Sequence, residues 1–292
     1  MTLQEWLQKA EGLLRTGPHP DRARRDAELL LRHVLRYERA ALIARRDEQL
    51  DDLSSSRYGA LLERRKSGEP IQYIFGETEF YGLPFRVTRD VLIPRSETEH
   101  LVEKVLELAS KFKQPRVVDV GTGSGAIAVA VAHSISDATV TAIDLSSAAL
   151  AVAAANAKLN VVDERIRFLR GDLLQPISAS GPSDTSSAEN RFEIVVSNPP
   201  YVPTRDESSL AVEVRQYEPR MALFAGDDGL DVYRRLIPQA FDVLVSGGYV
   251  ALEIGYGQAG AVRTLLHESG FEQSEFTLDL QSIDRVASAM RP

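Results

Sequence analysis

Asn198-Pro199-Pro200-Tyr201 is the segment of this 292-residue chain whose residue types point most directly to a reaction. Two consecutive prolines cannot continue a central strand, because neither has an N–H to donate, so they make a stiff turn. Such a turn holds the Asn198 carboxamide and the Pro199 carbonyl as two acceptors aimed at one place. An NH2 group carries two hydrogens, and two acceptors satisfy both. Tyr201 adds a flat face for stacking on a planar amide or a base. The nitrogen of such a group is a poor nucleophile, since its lone pair is delocalised. Acceptors on both N–H bonds aim the lone pair and stabilise the charge that develops on nitrogen as it attacks. Orientation alone supplies roughly 7–11 kcal/mol. The motif contains no strong base, so the proton is expected to leave late, to water. Asn198, Pro199 and Tyr201 are the candidate catalytic residues, and Asn198, Pro199, Pro200 and Tyr201 the candidate substrate-binding ones.

A second cluster supplies the group that would react with that nitrogen. Val117-Val118-Asp119-Val120 is an apolar strand running into Gly121-Thr122-Gly123-Ser124-Gly125, which opens a helix. Glycines let the backbone turn sharply and let a ligand approach its N–H groups. Dinucleotide sites use a related loop, but with Gly-x-Gly-x-x-Gly spacing rather than the Gly-x-Gly-x-Gly seen here. Asp119 would repel a pyrophosphate and suits a cationic sulfonium–amine ligand. Asp144, 19 residues after Gly125, ends the next strand, where a carboxylate can accept from both ribose hydroxyls. Its alternative role is a helix cap for the start at Leu145-Ser146-Ser147. Gly171-Asp172-Leu173 follows the third strand: Asp172 is placed to accept from an adenine amino group and Leu173 to cover the ring, unless the three are a simple strand-end turn. Together these residues point to S-adenosylmethionine. Methyl transfer from a sulfonium is an in-line displacement with a neutral leaving group and needs no metal, and no metal site is expected.

The elements that must position these residues alternate. Strands are expected at 116–120, 139–143, 166–169, 192–197 and 249–254, with helices at 125–132, 147–159 and 229–244 between them. That order implies a doubly wound α/β parallel sheet with its ligand outside the carboxyl ends of the strands. Residues 276–280 and 286–290 would add an antiparallel pair. Residues 1–75 are expected to be a helical domain. Leu3, Trp6, Leu7, Ala10, Leu13 and Leu14 recur at helical spacing, Asp21 caps a second helix, and Ser54 caps a third that stops at Gly68. Residues 76–93 read as a β-hairpin linker with a turn near Gly82 to Pro84, and 94–292 as the catalytic domain. Ser96 and Glu99 read as a capping box, which accounts for much of the Arg95–Glu97 segment, although a place beside the cofactor is open to it. Glu218-Pro219-Arg220 either shapes a substrate mouth or is a salt-bridged loop. Residues 175–191, rich in Ser, Pro and Gly, read as a mobile surface loop.

Composition narrows the function classes. The net charge is −8, with +2 on the helical domain and −10 on the remainder, so the counterion release that drives general nucleic-acid binding is unavailable to most of the surface. The absence of cysteine removes disulfides and thiolate metal sites. Met1–Ala10 lacks the pattern of a secretory leader, and no 18-residue apolar run occurs, so a cytoplasmic protein with no membrane association is expected.

With these residues in view, the chain resembles the protein-(glutamine-N5) methyltransferases of peptide chain release factors, the PrmC/HemK family. The resemblance covers nearly the whole chain. It rests on Glu69 to Ile74, Leu92-Ile93-Pro94-Arg95-Ser96-Glu97-Thr98-Glu99, Asp119 to Gly125, Asn198 to Tyr201, and Tyr217-Glu218-Pro219-Arg220 followed by Asp228-Gly229-Leu230. It implies a class I (Rossmann-like) methyltransferase domain behind an N-terminal helical bundle that docks the substrate. It implies that Gly121–Gly125, Asp144, Leu173 and Asn198 line the cofactor site, although relatives often carry an aromatic residue at the position of Leu173. The implied substrate is the glutamine of the Gly-Gly-Gln tip of class 1 release factors, met by a monomer with no direct nucleic-acid partner. Two other readings stay open. An adenine-N6 DNA or RNA methyltransferase would use the same acceptor pair, but a flipped base needs Lys and Arg at the pocket mouth, and 198–230 holds only Arg205, Arg215 and Arg220. A non-catalytic scaffold docking a ribosomal partner would have no need of the two acceptors.

Overall fold

The computed structural model describes residues 1–178 and 191–292. Most of the Ser/Pro-rich stretch expected to be a surface loop therefore lies outside the described residues. The chain separates into two compact units, Met1–Gly76 with Leu210–Tyr217, and Glu77–Ser209 with Glu218–Pro292. The hairpin expected as a linker groups with the second unit, and a short segment beyond Tyr201 groups with the first.

The first unit is helical: α1 (Leu3–Leu14), α2 (Ala23–Leu35), α3 (Arg39–Ala44), α4 (Asp52–Lys66) and α5 (Ile71–Phe75), joined by a helix at Val212–Tyr217. Thr2 and Glu5 close a reciprocal capping box at the start of α1, each side chain accepting the other's N–H. Asp21 does not cap α2: it lies in a 3-10 turn, Pro20–Arg22, and α2 has no side-chain cap. The cap of α4 is Asp51, which accepts the N–H of Ser54 at 2.9 Å, so Ser54 is the donor and not the cap. Leu3, Ala10, Leu14, Leu30, Leu31 and Leu62 surround Tyr58, whose hydroxyl donates to the Ala27 carbonyl at 2.9 Å. Buried Arg65 bridges Asp26 at 2.6 Å and Glu213 at 2.5 Å, which anchors the Val212–Tyr217 helix. A buried guanidinium is tolerated only when it is paired in this way.

The second unit opens with an antiparallel hairpin, β1 (Glu77–Phe80) and β2 (Leu83–Arg86). Its turn is the two-residue pair Tyr81-Gly82, both with positive φ (52° and 71°), the primed geometry that matches strand twist. Pro84 sits in β2 and not in the turn. Then follow α6 (Thr98–Ala109), β3 (Arg116–Val120), α7 (Ala126–Ser134), β4 (Thr139–Asp144), α8 (Ser147–Leu159), β5 (Ile166–Arg170), α9 (Gln175–Ser178) and β6 (Phe192–Ser197). After α10, the Val212–Tyr217 helix, come α11 (Asp231–Val243), β7 (Leu244–Glu253), α12 (Ala259–Glu268), β8 (Glu272–Leu278) and β9 (Asp284–Met290).

The seven strands order as β5-β4-β3-β6-β7-β9-β8. β3 to β7 are mutually parallel, and β9 is antiparallel to both β7 and β8. This is the doubly wound sheet expected, with strand order reversing between β3 and β6. A crevice forms at such a reversal, outside the carboxyl ends of the two strands. Ser197 Oγ, at the end of β6, donates to the Val120 carbonyl at the end of β3 at 2.6 Å. The glycine loop and the Asn198 loop thus leave from two strand ends tied to each other. α7 is buried on every face from Ala126 to Ala132, which explains its lack of an amphipathic pattern. β7 starts at Leu244, five residues before the strand expected at Tyr249, and absorbs Gly247-Gly248 in an irregularity of its pairing with β6. A Cβ at Gly248 would lie 3.0 Å from the Glu193 and Val245 carbonyls, so a small residue is needed where the strand bends.

Candidate active site

A cavity of about 310 Å³ opens at the strand reversal and lies wholly within the second unit. Its lining includes Gly121, Thr122, Gly123 and Ser124 from the loop after β3, Asp144 after β4, Gly171, Asp172 and Leu173 after β5, and Asn198 and Pro200 after β6. Four strand ends expected to carry the site meet around one space.

The glycine loop has an inside role for most of its donors. Gly121 and Thr122 donate their N–H groups to the Ile143 carbonyl at 2.8 and 3.0 Å, Gly123 to Asp144 Oδ2 at 2.8 Å, and Gly125 to the Thr122 carbonyl at 2.8 Å. The sequence-level expectation that a ligand would approach these N–H groups does not fit their partners, and a pyrophosphate would find few free donors here. All three glycines have positive φ. At Gly121 a Cβ would meet open space, whereas at Gly125 it would lie 3.0 Å from the Ala153 Cβ, so Gly125 is needed for conformation and for helix packing.

Asp144 stands at the junction. One carboxylate oxygen accepts from Gly123 N–H and the other from Ser146 N–H, both at 2.8 Å. A carboxylate has about four acceptor positions, so each oxygen keeps one for a ligand hydroxyl. The helix-cap role belongs to a different residue: Ser146 Oγ accepts from Ala149 N–H at the start of α8.

Asp119 does not line the cavity. It is 0 % exposed, with Oδ2 accepting from the Thr122 hydroxyl at 2.6 Å and from Ala128 N–H at 3.2 Å, while Oδ1 is buried without a partner among the described residues. Its position is behind the loop, bracing Thr122 against α7. Burial raises its pKa to about 7 against the hydrogen bonds that lower it. Because the folded protein holds this proton more tightly than the unfolded chain, the associated stability is complete below about pH 4 and is lost as pH rises to about 7. Denaturant unfolding at pH 5 and pH 8 should therefore show the native chain losing stability on the order of 3 kcal/mol relative to Asp119→Asn. Parallel losses in the two proteins would contradict this.

Asp172 and Leu173 line the cavity as expected, and each carries a feature the sequence does not advertise. Asp172 is paired with Arg235 of α11, which also lines the cavity. Leu173 has a φ of 52°, a left-handed conformation uncommon for a branched residue. A Cβ on Gly171 would fall 1.9 Å from Pro176 Cγ, so the turn that presents this pair tolerates only glycine.

Asn198 is anchored through a chain of hydrogen bonds. Its Nδ2 donates to Thr98 Oγ1 at 3.1 Å, and the Thr98 hydroxyl donates to Glu253 Oε2 at 2.6 Å. The other oxygen of Glu253 accepts from the Tyr201 hydroxyl at 3.2 Å. Glu253 is 1 % exposed, and burial raises its pKa while the bonds from Thr98 and Tyr201 oppose that rise. Gln258 adds a third anchor, donating to the Tyr201 carbonyl at 3.0 Å while accepting from Gly255 N–H at 2.9 Å. Pro199 and Tyr201 do not line the cavity. Pro199 is buried, and the Tyr201 phenol turns inward to Glu253, where burial raises its pKa. The flat face expected for substrate stacking is thus packed against the core.

Thr98, Glu253 and Gln258 were not singled out in the sequence. Thr98 sits inside the expected capping box, which the structure replaces: α6 has no side-chain cap, and Glu99 accepts from Tyr81 N–H at 2.9 Å instead. Arg95 lines the cavity and pairs with buried Glu218 at 2.6 Å. Arg220 pairs with Glu207, and Pro219, Met221 and Phe224 reach the lining, so that loop is both salt-bridged and part of the wall. Asn156, fully buried in α8, was also missed. It exchanges hydrogen bonds with both backbone groups of Arg86 and donates to the Ser124 carbonyl at 2.8 Å, joining the hairpin to the glycine loop.

Two family models match: the PrmC N-terminal domain over residues 5–76 and the methyltransferase small domain over residues 97–216. Among curated relatives, the release factor glutamine methyltransferase of Burkholderia pseudomallei is 45 % identical over 91 % of this chain and 92 % of its own. Those of Moorella thermoacetica (41 %) and Koribacter versatilis (38 %) align over 100 % of this chain and 99 % of theirs. Among solved structures, the hMettl16 catalytic domain in complex with an RNA hairpin matches 91 % of each chain with a TM-score of 0.58 at 13 % identity. The T. thermophilus 16S rRNA N2 G1207 methyltransferase matches 74 % of this chain and 50 % of its own with a TM-score of 0.53 at 19 % identity. At those identities the structural matches speak to the fold alone.

Proposed function

The chain belongs to the release factor glutamine methyltransferase family, and from that membership we propose that it methylates the side-chain amide nitrogen (N5) of the glutamine in the Gly-Gly-Gln segment of class 1 peptide chain release factors, with S-adenosylmethionine as donor. The observation that carries the reading is the meeting of Asn198 with the glycine loop and Asp144 around one cavity. The residues present suit the donor. Asp144 keeps an acceptor position on each oxygen for a ribose, Leu173 offers an apolar wall, and the glycine loop has few N–H groups left for a phosphate. S-adenosylmethionine supplies an electrophilic methyl group on a sulfonium, with a neutral thioether as leaving group.

The chain's own residues do the rest. Asn198 Oδ1 accepts one N–H of the substrate amide from the cavity wall, and the carbonyl of Pro199, buried between the lining residues Asn198 and Pro200, accepts the other as the substrate seats, which holds the amide plane and turns its lone pair toward the donor. The same acceptors stabilise the positive charge that grows on nitrogen, an effect strongest in a site sheltered from water. Glu253 is not the base, because it is buried behind Thr98 and Tyr201 and does not line the cavity. The proton leaves to water after the methyl has moved. The helical unit docks the protein substrate, and a monomer in the cytoplasm with no nucleic-acid partner completes the reading.

The test is a transfer assay with labelled S-adenosylmethionine, a purified class 1 release factor and, in parallel, unmethylated DNA and RNA. Label is expected on the release factor and lost when its Gly-Gly-Gln glutamine is replaced. Label on nucleic acid instead would move the protein to adenine-N6 chemistry, and label on neither would remove the methyltransferase assignment.

A further inference from the structure

We propose that Thr98 and Glu253 are positioning residues that decide which end of the Asn198 carboxamide faces the substrate. The proposal rests on the reading of Asn198 as an acceptor for the substrate amide. A carboxamide has a donor end and an acceptor end of nearly the same shape, so a turn that fixes the backbone of Asn198 leaves the choice of end open. A reversed carboxamide would place an NH2 against the substrate NH2, two donors with nothing between them.

The hydrogen-bond chain removes that freedom. Glu253, when ionised, can only accept. It therefore takes the single proton of the Thr98 hydroxyl, at 2.6 Å. With its proton directed at Glu253, Thr98 Oγ1 can offer only a lone pair to Asn198. Only the NH2 end of Asn198 can meet that lone pair, as it does at 3.1 Å. Oδ1 is left as the end free for a ligand. The polarity of each link follows from the one before it, and the chain starts at a carboxylate that, while ionised, has no proton to give. Glu253 also receives the Tyr201 hydroxyl at 3.2 Å, so one buried carboxylate braces both ends of the Asn198–Tyr201 corner. The Tyr233 hydroxyl in turn donates to the Glu253 backbone carbonyl at 2.7 Å, fixing the strand end that carries it. These five residues come from α6, the loop after β6, α11 and the end of β7, so no short motif contains them.

Three substitutions test the chain. Thr98→Val keeps the branched shape and removes the hydroxyl. Thr98→Ser keeps the hydroxyl. Glu253→Gln keeps the shape but introduces an amide that can itself donate to Thr98, which would let the Thr98 proton turn to Asn198 and reverse its carboxamide. Thr98→Val and Glu253→Gln are expected to lower kcat on a release factor by about 100-fold, the scale of a misoriented reacting group, with S-adenosylmethionine affinity measured by calorimetry close to that of the native chain. Thr98→Ser is expected to restore turnover. Nitrogen-resolved NMR of the Asn198 side-chain NH2 supplies a readout independent of catalysis: its protons should exchange slowly in the native chain and in Thr98→Ser, and rapidly in Thr98→Val. Native turnover in Thr98→Val, or a loss that Thr98→Ser does not repair, would overturn the proposal. Failure of the native chain to label a release factor would instead strike the functional reading, and the NMR exchange pattern would still decide whether Thr98 orients Asn198.

Discussion

Asn198→Ala is expected to lower kcat for release-factor methylation by about 10²–10³-fold, roughly 3–4 kcal/mol, the scale of losing one preorganised group that stabilises developing charge. The effect should fall on turnover because the bond that Asn198 Oδ1 makes to the substrate N–H strengthens as charge grows on nitrogen. An interaction that is stronger in the transition state than in the ground state raises kcat and not merely binding. Cofactor affinity should move little, since Asp144, Leu173 and the glycine loop line the same cavity and the Asp144 bonds to that loop do not involve Asn198. The truncation also leaves the Thr98 hydroxyl oxygen without the Asn198 NH2, a local cost that a modest fall in melting temperature would report. Stopped turnover accompanied by an equal loss of cofactor affinity would show that Asn198 serves binding generally. Near-native turnover would remove it from the mechanism.

Asp144→Ala should have the opposite signature, a fall in S-adenosylmethionine affinity of about 10–100-fold by calorimetry, corresponding to loss of a charged hydrogen-bond acceptor worth roughly 1.5–3 kcal/mol. Two causes add. The ribose hydroxyls lose their acceptor, and the Gly123 and Ser146 N–H groups lose theirs, which loosens the loop that shapes the cavity. Because Ser146 caps α8, the start of that helix should survive the change. Asp144→Asn separates the two causes: its single carbonyl oxygen can keep one of the backbone N–H groups but not both together with two ribose hydroxyls, so an intermediate affinity is expected. Unchanged affinity in Asp144→Ala would limit Asp144 to bracing the loop.

The sheet was legible in the sequence because β3 and β6 are apolar runs bounded by Gly or Pro, and their observed limits, Arg116–Val120 and Phe192–Ser197, are those expected. β8 was harder to see. Glu272, Gln273, Ser274 and Glu275 have the polarity of a loop, but an edge strand is free to be polar on its open side. The start of β7 was hidden by Gly247-Gly248, which signals a turn locally and is a bend within the sheet. Caps misled for a related reason. Asp51, Asp52, Ser54, Ser55 and Ser56 are adjacent polar residues of which any could cap, and the choice depends on where the core pulls α4.

In the site, residues on glycine and proline loops could be found from spacing, since the backbone geometry they impose is local. Their supports could not. Thr98, Glu253 and Gln258 act through hydrogen bonds across 100, 155 and 57 positions of sequence, and each is an ordinary residue in its own segment. The one local hint was Glu253, a carboxylate at the end of the apolar run Tyr249–Leu252, where burial demands a partner. Asp119 and Tyr201 show the converse. Their types and positions suggested contact with ligands, yet packing turns both inward, to Thr122 and to Glu253.

The central claim is that Asn198 presents its carbonyl end, beside the Pro199 carbonyl, to a single NH2 group. It is tested most directly by a crystal structure of the chain with the demethylated cofactor product and a peptide containing Gly-Gly-Gln, at a resolution that distinguishes the two ends of the carboxamide by their partners. The glutamine NH2 should lie within hydrogen-bond distance of both Asn198 Oδ1 and the Pro199 carbonyl, with Asn198 Nδ2 still on Thr98. A glutamine bound elsewhere in the cavity, or an Asn198 carboxamide turned with Nδ2 toward the peptide, would contradict it.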